Sequence, residues 1–365
     1  NRRQRQMCIR DRYVPDRQIL EVPEEYSTIQ EALGVAKPGD IVHVLPGSYR
    51  LGEITIPQGI CLQGSGPALT TIRTSRLWMS SNSKIDGFTI KGTVRCDNHI
   101  TGVVISNNVF SMYSRAIEIL FGSKAMVRNN IINSVDLGIL LSDPGTSALI
   151  ENNTIVNVTQ YEAINLQYLT TEGCVKIRNN IIANNRIGIY DNIVDREHLH
   201  QIVSFEFNNY WNNTEGNVGG NSSGNELFGP GDFDADPMFI DPDNGVYTLQ
   251  AGSPSINSGY PEDRYNDHDG TRNDRGAYGG SCLNTPPQAD FVIDPTLVGI
   301  NTPFSLDASI SFDKETETKG LLIRWDFDCD GIYDTNFTTS SAISMTLTDS
   351  CACFVCIPSS NICRQ

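Results

Sequence analysis

Polar side chains that recur on a short repeated strand are the residues of this sequence best suited to chemistry. Alternation along the strand predicts two outward-facing columns, the first Glu118, Leu140, Asn165 and Tyr190, the second Ser142, Gln167 and Asn192. Amide groups beside an aromatic ring suit a sugar, which offers hydroxyls and an apolar face. The candidate substrate-binding residues are therefore Asn165, Gln167, Tyr190 and Asn192, and an ordinary solvated sheet face is the alternative.

Charged residues on or beside these columns could serve an enzyme as acid, base or electrostatic groups. Carboxylates and basic side chains fill these roles when a group reacts through proton transfer. The candidate catalytic residues are Glu118, Asp143, Arg186 and Asp191.

Two aspartate-rich stretches, residues 232–243 and 263–274, offer oxygen ligands of the kind that calcium prefers. The candidate ligands are Asp232, Asp234 and Asp236, with solvated turns as the alternative. Calcium is the cofactor that the sequence suggests. Four cysteines in the tail, Cys351, Cys353, Cys356 and Cys363, leave zinc, disulfides or an atypical tail open.

The candidate catalytic and substrate-binding residues lie in a repeat of about 22 residues, marked by an apolar-x-Asn-Asn-apolar unit. Taking seven positions as equivalent gives steps of 20 to 29 residues: Gly64, Gly87, Asn107, Asn129, Asn152, Asn179 and Asn208. Each period holds two short apolar strands and no helix long enough for a crossover between parallel strands. The strands must therefore stack on copies of themselves, which predicts a parallel β-solenoid. Right-handed winding is the default for parallel crossovers.

The paired asparagines are predicted to hold the corners of the coils. Asparagine tolerates the left-handed backbone of a sharp corner, and its amide can bond to its copy one coil away. Their neighbours Arg128, Glu151 and Arg178 are expected to form a solvated column of alternating charge.

The N-terminal segment indicates a family. Residues 26–33 predict a short capping helix with N-cap signals at Thr28 and Glu31, and residues 41–45 predict a strand. The runs 26–32 and 38–44, with Gly47-Ser48-Tyr49, resemble the start of pectin-lyase-like right-handed β-helix proteins. The resemblance covers residues 20–230. It implies an all-β fold of about seven or more coils and a polysaccharide partner, although relatives that cut acidic polysaccharides by elimination or hydrolysis carry motifs not found in these coils.

Further segments complete the predicted organisation. Residues 1–12 are interpreted as a non-native leader, 13–283 as the β-helix with its cap and closing segment, and 351–365 as an atypical cysteine-rich tail. Residues 284–350, with the run Trp325-Asp326-Phe327-Asp328, resemble a partial PKD-like immunoglobulin β-sandwich. In extracellular bacterial proteins such modules act as spacers or contact polymers, which the resemblance implies here.

Charge and hydropathy exclude some partners. The chain has 27 Lys and Arg against 43 Asp and Glu, a net charge of −16, which disfavours nucleic acid. No apolar run is long enough to span a membrane. We therefore expect a secreted or cell-surface, monomeric protein that binds polysaccharide or extracellular matrix. The alternatives are a pectate-lyase-like polysaccharide lyase or glycoside hydrolase acting on acidic polysaccharide, and a structural repeat segment of a larger adhesin.

Overall fold

The computed structural model describes residues 18–111, 114–222, 227–267 and 269–280, and the short segments 292–294, 302–309, 321–322, 340, 342–346 and 363–364. The chain divides into two compact units. The first comprises Asn1–Asn266 and Arg272–Gly280, and the second Asp267–Thr271 and Ser281–Gln365. The predicted leader lies outside the described residues, as do most of the predicted PKD-like module and cysteine-rich tail.

The first unit contains a nine-stranded parallel sheet with one strand from each successive coil. Its members are β1 Ile19–Val22, β2 Ile41–Val44, β5 Cys61–Gly64, β7 Lys84–Asp86, β9 Val103–Ser106, β12 Lys124–Arg128, β15 Ser147–Glu151, β18 Val175–Arg178 and β21 Val203–Glu206. The four coils that contain β1, β2, β5 and β7 lack the asparagine pair, and the repeat in the sequence was visible only from β5 onward.

A second sheet of fifteen strands supplies the other sides of the coils. Its members are β3 Gly47–Arg50, β4 Ile54–Thr55, β6 Thr70–Trp78, β8 Thr89–Cys96, β10 Val109–Phe110, β11 Arg115–Ile119, β13 Ile131–Asn133, β14 Leu137–Ser142, β16 Thr154–Val156, β17 Glu162–Gln167, β19 Ile181–Ala183, β20 Ile187–Asn192, β22 Asn209–Trp211, β23 Val218–Gly220 and β24 Phe233–Asp234. The longer strands β6 and β8 span two sides of the coil. The predicted all-β parallel solenoid is confirmed, with about nine turns.

Aliphatic side chains stacked in register form the core. One fully or almost fully buried column runs through seven coils of the nine-stranded sheet: Leu62, Ile85, Ile105, Val127, Ile150, Ile177 and Phe205. Because identical faces repeat at each coil, each apolar side chain packs on its copies above and below. The core is therefore continuous along the solenoid.

Helices are few in the described part of the chain. The predicted capping helix is confirmed as α1, Ile29–Val35, where the Thr28 side chain accepts from the Glu31 N–H and the Glu31 carboxylate accepts from the Thr28 N–H. Its residues Ile29, Ala32 and Leu33 are buried against the core. A second helix, α2, Leu199–Ile202, lies in the longer connection between β20 and β21. Two 3₁₀ turns cover Pro242–Asn244 and Asp263–Tyr265.

Five asparagines form a continuous buried hydrogen-bonded ladder, namely the second member of four pairs and the first member of the last pair. This inner ladder comprises Asn108, Asn130, Asn153, Asn180 and Asn208. Each Oδ1 accepts from the backbone N–H of the residue one coil earlier, as Asn153 Oδ1 does from Asn130 N at 3.1 Å. Asp232 accepts from Asn208 and ends the ladder. The predicted structural role of the asparagines is confirmed.

The first asparagine of three of the pairs contacts a covering segment from later in the chain. Asn129, Asn152 and Asn179 have φ between 50° and 54°, the left-handed backbone predicted for the corner. The Asn129 Nδ2 donates to the carbonyls of Ala277 and Gly279 at 3.1 and 2.8 Å. Residues 272–280 therefore form a closing strap over the corner column.

Two expectations about this corner are wrong. Arg178 pairs with Glu206, so Phe207, with φ 56°, is the equivalent of Asn179, and Asn208 belongs to the inner ladder. The column Arg128, Glu151 and Arg178 is buried, with 7–9% exposure, rather than solvated. Arg178 donates to Glu151 at 2.8 Å and lies 4.2 Å from the Tyr265 ring, which the sequence separates from it by a long interval.

The remaining strands are antiparallel. In the first unit, β25 Phe239–Asp241 and β26 Val246–Leu249 form a hairpin after the last coil. In the second unit, β27 Val292–Asp294, β28 Pro303–Asp307 and β30 Ala342–Thr346 form a three-stranded sheet, and β29 Leu321–Leu322 pairs with β31 Cys363–Arg364. The PKD-like interpretation stays a prediction. In the described residues, no helix is long and apolar enough to cross a bilayer.

Candidate functional site

The outward column predicted from alternation exists and extends further than the sequence indicated. Strand register places six residues in line, which we call the outer column: Trp78, Arg95, Glu118, Leu140, Asn165 and Tyr190. Ser142, Gln167 and Asn192 align beside it as predicted. The alternate residues Ile117, Ile139, Ile164 and Ile189 are completely buried in the core, which fixes the side of the sheet that the outer column occupies. Within the outer column, Glu118, Leu140 and Asn165 are also buried, and only Trp78, Arg95 and Tyr190 are partly exposed.

Glu118 is held between two arginines. Its side chain is 4% exposed, with Arg95 Nη1 at 3.0 Å from one carboxylate oxygen and Arg115 Nη1 at 2.8 Å from the other. Arg95 also binds Asp97 at 2.9 Å. Both of its carboxylate oxygens are thus engaged in charge-assisted hydrogen bonds with guanidinium groups. Its observed role is to anchor Arg95 and Arg115.

The other three candidate catalytic residues do not form one cluster. Asp143 accepts from the Phe121 N–H at a turn with φ 83°, and Arg186 binds Glu215 at 2.8 Å. This bond to Glu215 raises the pKa of the Arg186 guanidinium. Asp191 points inward, is completely buried, and is bound by Arg196, Ser222 and the Ile193 N–H.

The candidate substrate-binding residues lie together, on β17 and β20. Tyr190, Gln167 and Asn192 are partly exposed, whereas Asn165 is buried. The Asn165 Nδ2 donates to Glu162 at 2.9 Å, and its buried Oδ1 has no hydrogen-bond partner. The face formed by these strands thus presents amide groups beside an aromatic ring.

The three candidate calcium ligands have separate structural partners. Asp232 accepts from Asn208 and from the Gly229 N–H at 2.9 Å, and burial raises its pKa to about 6. Asp234 accepts from Asn217, and Asp236 from the Met238 N–H. Within the described ranges, no group of three or more His, Cys, Asp or Glu side chains is arranged to hold a metal.

Sequence reasoning missed a column of cations on β3, β6 and β8. The register Arg50–Arg73–Lys91, which we call the basic column, places three cations one above another. Arg50 and Arg73 are exposed and Lys91 is partly exposed. None of the three has an ion pair with a described residue. Each cation directly follows a residue of one inward column, Tyr49, Ile72 and Ile90, but this column becomes apparent only from the register between the coils.

An arginine–aromatic cluster lies further along the same strands. The guanidinium carbons of Arg76 and Arg95 are 5.1 and 5.3 Å from the centroid of the Trp78 ring. Arg76 also lies 3.7 Å from Glu53. Arginines beside an aromatic face orient the ring and keep positive charge at the surface.

Comparisons with known proteins identify two uncharacterised families. Residues 52–201 match the family described as "Protein of unknown function (DUF1565)", and residues 148–261 match "Domain of unknown function (DUF5123)". No curated protein is significantly similar to the chain.

Two solved structures show weak similarity. The pectate lyase Pel9A is 14% identical, with 72% of this chain and 96% of that chain aligned and a TM-score of 0.38. The PL6 family alginate lyase AlyGC is 16% identical, with 70% and 58% aligned and a TM-score of 0.21.

Proposed function

We propose that this protein binds an acidic polysaccharide along the outer surface of its fifteen-stranded sheet. The basic column would contact the acidic groups, and the partly exposed aromatic rings of the outer column, Trp78 and Tyr190, would contact the sugar rings. The observation that carries the proposal is the stacking of Arg50, Arg73 and Lys91 in register on a strongly acidic chain.

The basic column is electrostatically unfavourable without an anion. Adjacent parallel strands lie about 4.8 Å apart, and two full charges at that distance in water repel by about 0.9 kcal/mol. Like charges directly opposite on a sheet face destabilise it. Because no described acidic side chain pairs with these cations, a bound polyanion would relieve the repulsion.

The outer column supplies the second kind of contact that a sugar polymer needs. Its residues Trp78 and Tyr190 offer aromatic faces, and Gln167 and Asn192 in the neighbouring column offer amide donors and acceptors. Lys91 and Arg95 belong to the same strand, so the two columns are joined through β8. Acidic polysaccharides of this kind occur outside cells, and a secreted or surface location and a monomeric state are part of the proposal.

Affinity electrophoresis tests the proposal. In gels containing polygalacturonate or alginate, we expect retardation of the wild-type protein and none in gels containing neutral dextran. The triple variant Arg50→Gln/Arg73→Gln/Lys91→Gln should lose most of the retardation. The matched control Lys37→Gln/Lys124→Gln/Lys176→Gln removes three exposed cations elsewhere and should migrate with the wild type.

Two results would contradict the proposal. One is equal retardation of both triple variants, and the other is no retardation of the wild type by any acidic polymer. The polysaccharide-lyase alternative stays a prediction and has its own test, the calcium-dependent appearance of unsaturated uronate absorption near 235 nm.

A further inference from the structure

A pocket lies between the late coils and the hairpin that follows them, away from the coils that carry the basic column. Its volume is about 370 Å³, within the range of small-molecule sites. Trp211, Met238 and Phe239 contribute apolar wall, and Asn184, Asp236 and Gln250 contribute polar groups. We propose that this pocket binds one neutral sugar residue, as a second carbohydrate site.

The polar groups of the pocket are partly used and partly available. Asn184 Oδ1 accepts from Asn212 Nδ2 at 2.9 Å. Asp236 Oδ1 accepts from the Met238 N–H at 2.8 Å. Gln250 Nε2 donates to the Phe239 carbonyl at 2.8 Å. These bonds fix the orientation of each side chain. The second polar atoms, Asn184 Nδ2, Asp236 Oδ2 and Gln250 Oε1, have no partner among the described residues.

One donor and two acceptors match the hydroxyls of a sugar, each of which can donate and accept. Trp211 is half-buried and adds an aromatic surface against which the C–H face of a pyranose can pack. A pocket with apolar walls and a few oriented polar groups is the usual form of a small-molecule site. The composition therefore favours a sugar over a wholly apolar ligand.

The backbone of the pocket is held in a fixed shape. Met238 has φ 52°, a left-handed conformation that is uncommon for this residue type. Asp236 binds the Met238 N–H, and the Met238 carbonyl accepts from the Gln250 N–H at 2.8 Å. Strained residues held by their surroundings cluster at binding sites. The loop is thus preorganised, which lowers the entropic cost of binding.

The charge of the pocket sets its selectivity. Asp236 faces the pocket, and Asp241 and Asp243 follow nearby in the chain. A uronate or sulfated sugar would be repelled by these carboxylates, whereas a neutral sugar can donate a hydroxyl to Asp236. This is the reverse of the selectivity of the basic column, so the two sites take different units of a polymer or different polymers.

Saturation-transfer NMR with methyl glycosides of neutral hexoses and pentoses tests the pocket, with methyl galacturonide as the anionic comparator. We expect at least one neutral glycoside to bind the wild-type protein about tenfold more tightly than the galacturonide. Trp211→Ala should abolish that binding. Asp236→Asn keeps the Oδ1 acceptor for Met238 but replaces the free acceptor with a donor. It should weaken the neutral glycoside about tenfold and reduce the discrimination against the galacturonide.

Controls separate this site from the proposed polysaccharide site. The triple variant of the basic column should bind the neutral glycoside as the wild type does, and Asp236→Asn should be retarded normally in polygalacturonate gels. Circular dichroism and thermal unfolding report whether Trp211→Ala is folded, and Asp236→Asn carries the test if it is not. Absence of binding by every neutral glycoside, equal binding of the galacturonide, or unchanged binding by Asp236→Asn would each overturn the proposal.

Discussion

Asp232 ends the inner ladder, and its burial makes the stability of the fold depend on pH. Burial raises its pKa to about 6 in the folded protein, above the value of about 3.9 in an unfolded chain. Between these values the folded state binds more protons than the unfolded state, so stability falls as pH rises from about 4 to about 6. The loss contributed by this group is about 3 kcal/mol at most.

The variant Asp232→Asn should lack this pH dependence. Its amide oxygen can still accept from Asn208, but it does not ionise. Urea unfolding at about pH 5 and pH 7 measures the free energy of unfolding of both proteins. If the free energy of unfolding changes equally with pH in the wild type and in Asp232→Asn, Asp232 is not the source of the pH dependence.

Asn153 is a central member of the inner ladder and is completely buried. Its Oδ1 accepts from Asn130 N and Nδ2, and its Nδ2 donates to the carbonyls of Val127 and Glu151. Because Asn153→Ala would leave several buried groups without partners, we expect a loss of about 3 kcal/mol in the free energy of unfolding. Chemical denaturation measures this loss. Asn98→Gly, at an exposed position with φ 62°, should be nearly neutral, and similar losses would argue against the ladder.

At the scale of elements, the closing strap is what distinguishes this corner from a bare solenoid edge. Gly276 in the strap has φ 92°, and a Cβ there would lie 2.7 Å from Ile181 Cδ1 and 2.9 Å from Thr154 Oγ1. Gly252 has nearly the same φ, 93°, with no atom within 4 Å of its Cβ position. Alanine variants at Gly252 and Gly276 therefore separate the cost of backbone strain from the cost of crowding by the added Cβ.

Gly252→Ala should cost about 1 kcal/mol of folding free energy, from the left-handed backbone alone. Gly276→Ala should cost about 2–3 kcal/mol, because the strap must also move away from the coil. Thermal and chemical unfolding of the two variants give the comparison. Equal losses would mean that the strap yields without cost and does not stabilise the coils.

Much of the element order was predictable from the sequence. The repeated apolar strands and the capping box of α1 follow from local pattern and are observed. The alignment of Phe207 with Asn179 was missed because the asparagine pair is displaced by one position in that coil. The burial of Glu151 was also missed, because the strap and Tyr265 that cover this region come from much later in the chain.

At the scale of the whole molecule, a net charge of −16 coexists with the local basic column. The overall charge repels a polyanion at long range, whereas the column attracts it at contact. Screening lengths are about 30 Å at 0.01 M, 10 Å at 0.1 M and 3 Å at 1 M salt. Moderate salt therefore weakens the repulsion more than the contacts, and high salt weakens both.

We expect retardation by polygalacturonate to pass through a maximum near about 0.1 M salt. Electrophoretic mobility measured across this salt range checks the prediction. The triple variant of the basic column should show little retardation at any salt concentration. A steady decrease of wild-type retardation from the lowest salt onward would show that long-range repulsion by the net charge does not oppose binding to the basic column.

The sequence by itself determined the parallel solenoid, its cap, and the outward position of Glu118, Asn165 and Tyr190. It could do so because strand alternation and a repeating period are local properties of the chain. Only the tertiary structure decided what those side chains meet. In the tertiary structure, Glu118 binds Arg95 and Arg115, and Asp191 is buried in the interior. Arg50, Arg73 and Lys91 lie in register on neighbouring strands. The register between coils of unequal length sets these contacts, and no local pattern specifies that register.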